Sequence, residues 1–185
     1  MISALAALVL PLLAVPTPAE AQAAGGVLLE GLGRPLLLVH AVTGMAATFA
    51  TTHHAVYAWL SARGPRRAGP LRRFGWIAPL LVSLQILLGL LLYPNYRVRV
   101  RAAHLDHEAP FVVQLFDFKE HLAALALVLV VGAALAGRQP PVADPAESGK
   151  VAWATAALSI TAAALVWTAA LIGLYVTSVH PVGLP

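Results

Sequence analysis

The chain of 185 residues contains no cysteine. That absence excludes disulfides, thiolate metal sites, iron–sulfur clusters and covalent c-type haem attachment. Charge is scarce as well: 11% of the residues, where a soluble domain carries about 25%. With 59% hydrophobic residues, the chain falls in the class of all-α integral membrane proteins, and one compact bundle is the default. Several catalytic signatures are also missing. There is no G-x-S-x-G, no H-E-x-x-H and no P-loop. No Ser–His–Asp set is evident. These gaps argue against an enzyme acting alone, although redox activity toward a quinone would need none of those motifs. The sequence pI near 10 rests on loop arginines. In a membrane protein such an excess reflects orientation before it reflects acidic partners, and no nucleic acid partner is expected.

The apolar runs predict four spans, at about 35–62, 74–93, 111–136 and 151–179, each long enough to cross a bilayer. Residues 1–24 form a signal-like segment. A short apolar run, Ile2–Val15, precedes small residues in A-x-A spacing, but the n-region has no Lys or Arg. Cleavage and retention as an additional short N-terminal helix both stand. Arg63, Arg66, Arg67, Arg72 and Arg73 follow the first span, broken by Gly and Pro. The loops after spans one and three hold seven Lys and Arg, against four on the opposite side. That inequality puts both chain ends outside the cytoplasm, and the expected location is a bacterial inner membrane. Pro79 predicts a kink in span two and Pro94 closes it. Gln85, the one strongly polar residue of that span, reads first as an interhelical hydrogen bond. Tyr96 to Pro110 reads as a loop, with Arg97, Arg99 and Arg101 on one face of an extended segment.

The most informative stretch is Leu36 to Leu60. It carries no Lys, Arg, Asp or Glu, yet holds His40, His53 and His54. His40 and His54 are fourteen residues apart, close to four helical turns, so both rings leave one face. Gly44, Ala47 and Thr51 lie between them on that face. A small-residue face with a histidine near each end suits a flat, wide group such as haem. This His-x13-His helix resembles the haem-bearing helices of the cytochrome b family, whose histidine pairs hold haem between membrane helices.

The resemblance implies one haem b near the outer face, with His40 and His121 as the axial, iron-binding pair. Asp117, one turn from His121, would accept the ring's second N–H. Arg97, Arg99 and Arg101 would pair with haem propionates. Around His121, the sequence FDFKEH predicts Asp117, Glu120 and His121 on one face, with Lys119 pointing elsewhere and snorkelling outward. Alternatives stand beside each role. His40 also reads as a buried histidine satisfied by Thr43, His121 as part of an ion-pair network, and the loop arginines as orientation signals. His54 is a further candidate ligand near the opposite interface, where a solvated or structural histidine is the alternative. The position fourteen after His121 is Leu135, and spans two and four hold no histidine, so a second bis-histidine haem is not supported.

The expected function is therefore electron transfer by a membrane-bound b-type cytochrome, with quinone or a periplasmic electron carrier as partner. It is open to reading as an electron-transfer subunit of a quinone-linked oxidoreductase. A rival is a cofactor-free accessory subunit packed against other membrane subunits, which the small residues of span four favour. A third reading is a periplasm-facing metal-binding protein using His104, His107 and His180.

Overall fold

The computed structural model describes residues 27, 29–65, 67–139 and 144–179. The signal-like segment 1–24 and His180 lie outside them. The described chain is all-α and contains four helices long and apolar enough to cross a membrane. After a 3-10 turn at Glu30–Leu32, α1 spans Gly33–Arg63. Helix α2 covers Ala68–Asn95, α3 Pro110–Arg138 and α4 Pro145–Val179.

The segment expected to be a loop after Pro94 is helical. Asn95 runs directly into a π-helix, Tyr96–Leu105, and a last turn, Asp106–Glu108. Together with α2 these make one 41-residue rod, Ala68–Glu108. Proline removes a backbone donor, and a change of hydrogen-bond register is one way for a helix to continue past it. Here the Tyr96 N–H reaches both the Leu92 and Tyr93 carbonyls. Side chains hold the extension to α3. Tyr96 stacks on Phe116 at 4.0 Å, and Arg101 donates to Asp117 at 3.0 Å.

Helix α1 packs on α2 and α4, and α3 packs on the same two. The four form an up-and-down ring in which α1 and α3 lie on the diagonal. Alanines let the backbones approach: Ala47, Ala50, Ala58, Ala78, Ala126, Ala133, Ala156 and Ala162 are at most 1% exposed. The large side chains point outward, among them Leu38, Met45, Trp76, Leu80, Val128 and Leu174. This inverts the pattern of a soluble bundle. Lipid is as apolar as leucine, so close contact between small residues holds membrane helices together. Hydroxyls are satisfied by their own helices, as in Thr48 to the Gly44 carbonyl at 2.8 Å and Thr51 to the Ala47 carbonyl at 2.9 Å.

This inversion makes a direct prediction. Ala78 is fully buried, so Ala78→Leu forces helices apart and costs about 1–3 kcal/mol. Leu80, two residues on and 68% exposed, tolerates alanine within about 0.5 kcal/mol. Unfolding of both variants in one detergent measures the difference.

Candidate buried histidine centres

The two histidines predicted to share a face of α1 both turn toward α2. A Cβ added at Gly89 would sit 3.4 Å from the His40 ring, and one added at Gly75 would sit 3.4 Å from His54 Nε2. Gly75 and Gly89 are themselves fourteen residues apart. Because α1 and α2 run antiparallel, the His-x13-His spacing of one meets a Gly-x13-Gly spacing of the other. Gly44 fits the same register, since a Cβ there would come within 2.9 Å of the Gln85 amide nitrogen. The bundle therefore has a His40 end and a His54 end, each with a polar centre.

At the His54 end the ring is 2% exposed. Ser159 Oγ on α4 lies 3.3 Å from His54 Nδ1 and spends its own hydrogen on the Thr155 carbonyl at 2.7 Å. The hydroxyl must therefore accept from the ring, which places the ring hydrogen on Nδ1 and leaves a lone pair on Nε2. That Nε2 is buried without a partner. It faces Gly75, against which the Ala134 backbone of α3 also packs. Arg138 closes this end. Its guanidinium lies 3.4 Å over the Trp76 ring and donates to the Gly75 carbonyl at 2.9 Å, while Nε is buried without a partner. Sequence reasoning missed Ser159, Arg138 and Gly75. The shared fourteen-residue spacing on spans one and two was the available signal.

At the His40 end, the Gln85 amide nitrogen lies 2.9 Å from His40 Nε2, an interhelical contact of the kind expected of that glutamine. With the amide donating, the ring hydrogen sits on Nδ1, which is buried without a partner. Counting fourteen residues along both helices from the Gly75–Ala134 contact puts Gly89 level with residue 120. His121 is thus near His40 in depth but not in direction. Its ring is exposed on the bundle surface, and Nδ1 donates to the Asp117 carbonyl at 2.7 Å. The structure does not bring His121 to His40.

Lys119 takes the inward place instead, correcting the expectation that it snorkels away. Its stem packs against Gly173 of α4, and its ammonium sits 4.7 Å from the Phe116 ring, within electrostatic reach of His40. Glu120 is exposed. The inward residue of this turn is therefore Lys119, held by Gly173 and Phe116, and not the face shared by Asp117, Glu120 and His121.

Asp117 does not hold the His121 ring through its carboxylate. Its backbone carbonyl, one turn away, serves that role, and the carboxylate pairs with Arg101, which also reaches Asp106 at 3.4 Å. Arg101 is thereby engaged, while Arg97 is half-buried and Arg99 exposed on the π-helix. His53 stacks on Phe74 and meets Phe49 at a tilt, with Nδ1 on the Phe49 carbonyl at 2.9 Å. Among the described residues, no group of three or more His, Asp and Glu is arranged to hold a metal ion, so His104 and His107 form no such group with their neighbours.

These observations define the class: an integral membrane four-helix bundle with one buried and one half-buried imidazole on one helix, each set over a glycine of the next. Comparison with protein-family models, curated proteins and solved structures returned no match.

Asp117→Asn removes one partly exposed ion pair. It is expected to lower stability by about 1 kcal/mol or less, and high salt should shrink the difference. Thermal unfolding at two ionic strengths measures it.

Proposed function

We propose that the protein is a membrane-bound b-type cytochrome that transfers single electrons, with His54 as an axial ligand of a haem held against the small-residue face of α1. The observation that carries this reading is the state of the His54 ring. Its hydrogen is committed to Ser159 on one side, and its lone pair is buried and free on the other. A ligating histidine needs this arrangement, in which a second partner fixes tautomer and orientation. The free Arg138 Nε–H beside it can pair with a carboxylate of the bound group. Haem supplies the one-electron chemistry, while the chain supplies ligand, orientation and a dry surrounding. A membrane quinol as donor and a soluble carrier as acceptor agree with a site buried in a bundle. The arginine-rich loops agree with an orientation in which the Ala68 end faces the cytoplasm.

A second reading has a specific observation behind it. Helix α2 lies so close to both rings that a methyl group at Gly75 or Gly89 would touch them, so a macrocycle would have to displace it. That packing favours a cofactor-free accessory subunit whose histidines are structural.

The visible spectrum separates the two. After expression with haem supplied, reduced protein is expected to show sharp b-type bands. His54→Ala should lose them, and Ser159→Ala should weaken haem binding by about 10-fold or more. His121→Ala should retain them. Loss in His121→Ala with retention in His54→Ala would instead move the haem to the His40–His121 pair, and a folded, colourless wild type would establish the accessory subunit. For orientation, single cysteines at Ala68 and Ala103 are expected to label from opposite sides of the membrane, on a background free of native cysteine.

A further inference from the structure

We propose that a groove along the outer flank of the α1–α4 seam seats one acyl chain of an anionic phospholipid, with Arg63 pairing with its phosphate. The proposal does not depend on a haem at His54. It rests on the length of the groove, on what closes one end and on the charge at the other.

The groove has a volume of about 350 Å³. Ala55 of α1 and Ala163 of α4 are buried and form its floor, while Val56, Trp59, Ile160 and Trp167 are exposed and form its walls. One end is shut. Trp167 donates from Nε1 to Thr52 Oγ1 at 3.0 Å, which ties its ring across the seam. Thr52 passes its own hydrogen to the Thr48 carbonyl at 2.7 Å. Both hydrogens at this end are therefore spent. At the other end stands Trp59, and one turn further Arg63 ends α1. The Arg63 guanidinium lies 4.7 Å from the centre of the Trp59 ring. It is exposed and forms no ion pair among the described residues.

The length fits one leaflet. Eleven residues of helix separate Arg63 from Thr52, which is about 16 Å, and half of a hydrocarbon layer is about 15 Å. Tryptophans are ordinarily interfacial. Trp59 sits at that level, whereas Trp167 stands near the middle of the layer with its N–H tied down. A phosphate held at Arg63 leaves its chain to run over the alanine floor and stop against Trp167. A membrane helix from another chain would need contact along most of the layer, and this groove is closed halfway. A polar ring such as a quinone head would find no hydrogen free at the closed end.

Lipid is as apolar as the groove, so burial alone favours no particular lipid. The headgroup makes the distinction. Arg63, Arg67, Arg72, Arg73 and Arg138 gather at this end of the bundle. The carboxylates there, among the described residues, are already engaged: Asp144 accepts from the Ala146 N–H at 2.9 Å, and Glu147 pairs with Lys150 at 2.7 Å. A guanidinium matches a phosphate bidentately, and a surface rich in arginine draws anionic lipid.

The test uses the full chain in detergent, titrated with phosphatidylglycerol and separately with phosphatidylcholine of the same acyl chains. Native mass spectrometry counts the bound lipids, and the unfolding temperature is read on the same samples. One phosphatidylglycerol is expected to bind saturably and to raise the unfolding temperature, with phosphatidylcholine about fivefold weaker. Arg63→Gln should weaken phosphatidylglycerol by about fivefold, and Arg63→Lys should retain most of the preference. Ala163→Leu, which raises the floor, should remove the saturable lipid. If Ala163→Leu does not fold, Val56→Trp narrows the groove from an exposed wall with the same expected loss. Equal binding of the two lipids by the wild type, or undiminished binding by the groove-filling variant, would overturn the proposal. So would high-yield disulfide dimers of Val56→Cys in the membrane, on a background free of native cysteine, because a second copy would then cover the groove. A bound haem adds its own mass, so the spectrum reads the two proposals separately.

Discussion

Four polar heads inside this bundle are placed where an adjacent helix has only a hydrogen for a side chain. His40, His54, Gln85 and Lys119 meet Gly89, Gly75, Gly44 and Gly173 in turn. The antiparallel register of α1 and α2 makes three of these pairings at once, and α3 against α4 makes the fourth. A slip of one residue would set each polar head against a bulkier side chain: Leu88 or Leu90 for His40, Phe74 or Trp76 for His54, Thr43 or Met45 for Gln85, and Ile172 or Leu174 for Lys119. Alanine packing between the centres leaves little freedom for such a slip, because Ala47, Ala50 and Ala78 already bring the backbones close. The apolar seam thus fixes the polar centres, and the glycines make the seam compatible with them.

The two centres differ in chemical character. At the His54 end the ring hydrogen is spoken for, and the ring's lone pair remains. At the His40 end the ring's lone pair is spoken for, and its hydrogen remains. In a medium without water such imbalances persist, since no solvent can satisfy a stranded donor or acceptor. One helix face thereby presents a basic nitrogen near one membrane surface and an acidic N–H near the other. These are opposite tools built from the same residue type, and the difference is set by Ser159 in one case and Gln85 in the other.

The fold was legible in the sequence because its signals are long. Four apolar runs, sparse charge and arginine-rich connections define four spans whatever the details of packing. The face shared by His40 and His54 was also legible, since fourteen residues of helix admit little phase error. The inward face of α3 was not. Asp117, Lys119, Glu120 and His121 surround the helix within little more than one turn, and a phase error of one residue exchanges lysine for histidine at the core. Tertiary contact with Gly173 and Phe116 settles that phase, and neither is near it in sequence. Ser159 was hidden for another reason. One serine in an alanine-rich span has the composition of packing filler, and only its position opposite His54 gives it a role. The segment after Pro94 was misread because proline, arginine and alternation outweighed the option of a wider helical register.

That wider register has a mechanical consequence. A π-helix winds more residues into each turn than an α-helix, so Tyr96–Leu105 stores extra chain length in a short rise. Converting part of it to α-helix would lengthen the rod and swing Arg101 around its axis without disturbing any residue below Asn95. The rod's tip can therefore absorb a one-residue insertion or deletion while the histidine–glycine register stays untouched. Length variation between sequences sharing this architecture should accordingly collect above Asn95, in the coil of this spring, and be missing from the stretch between Gly75 and Gly89.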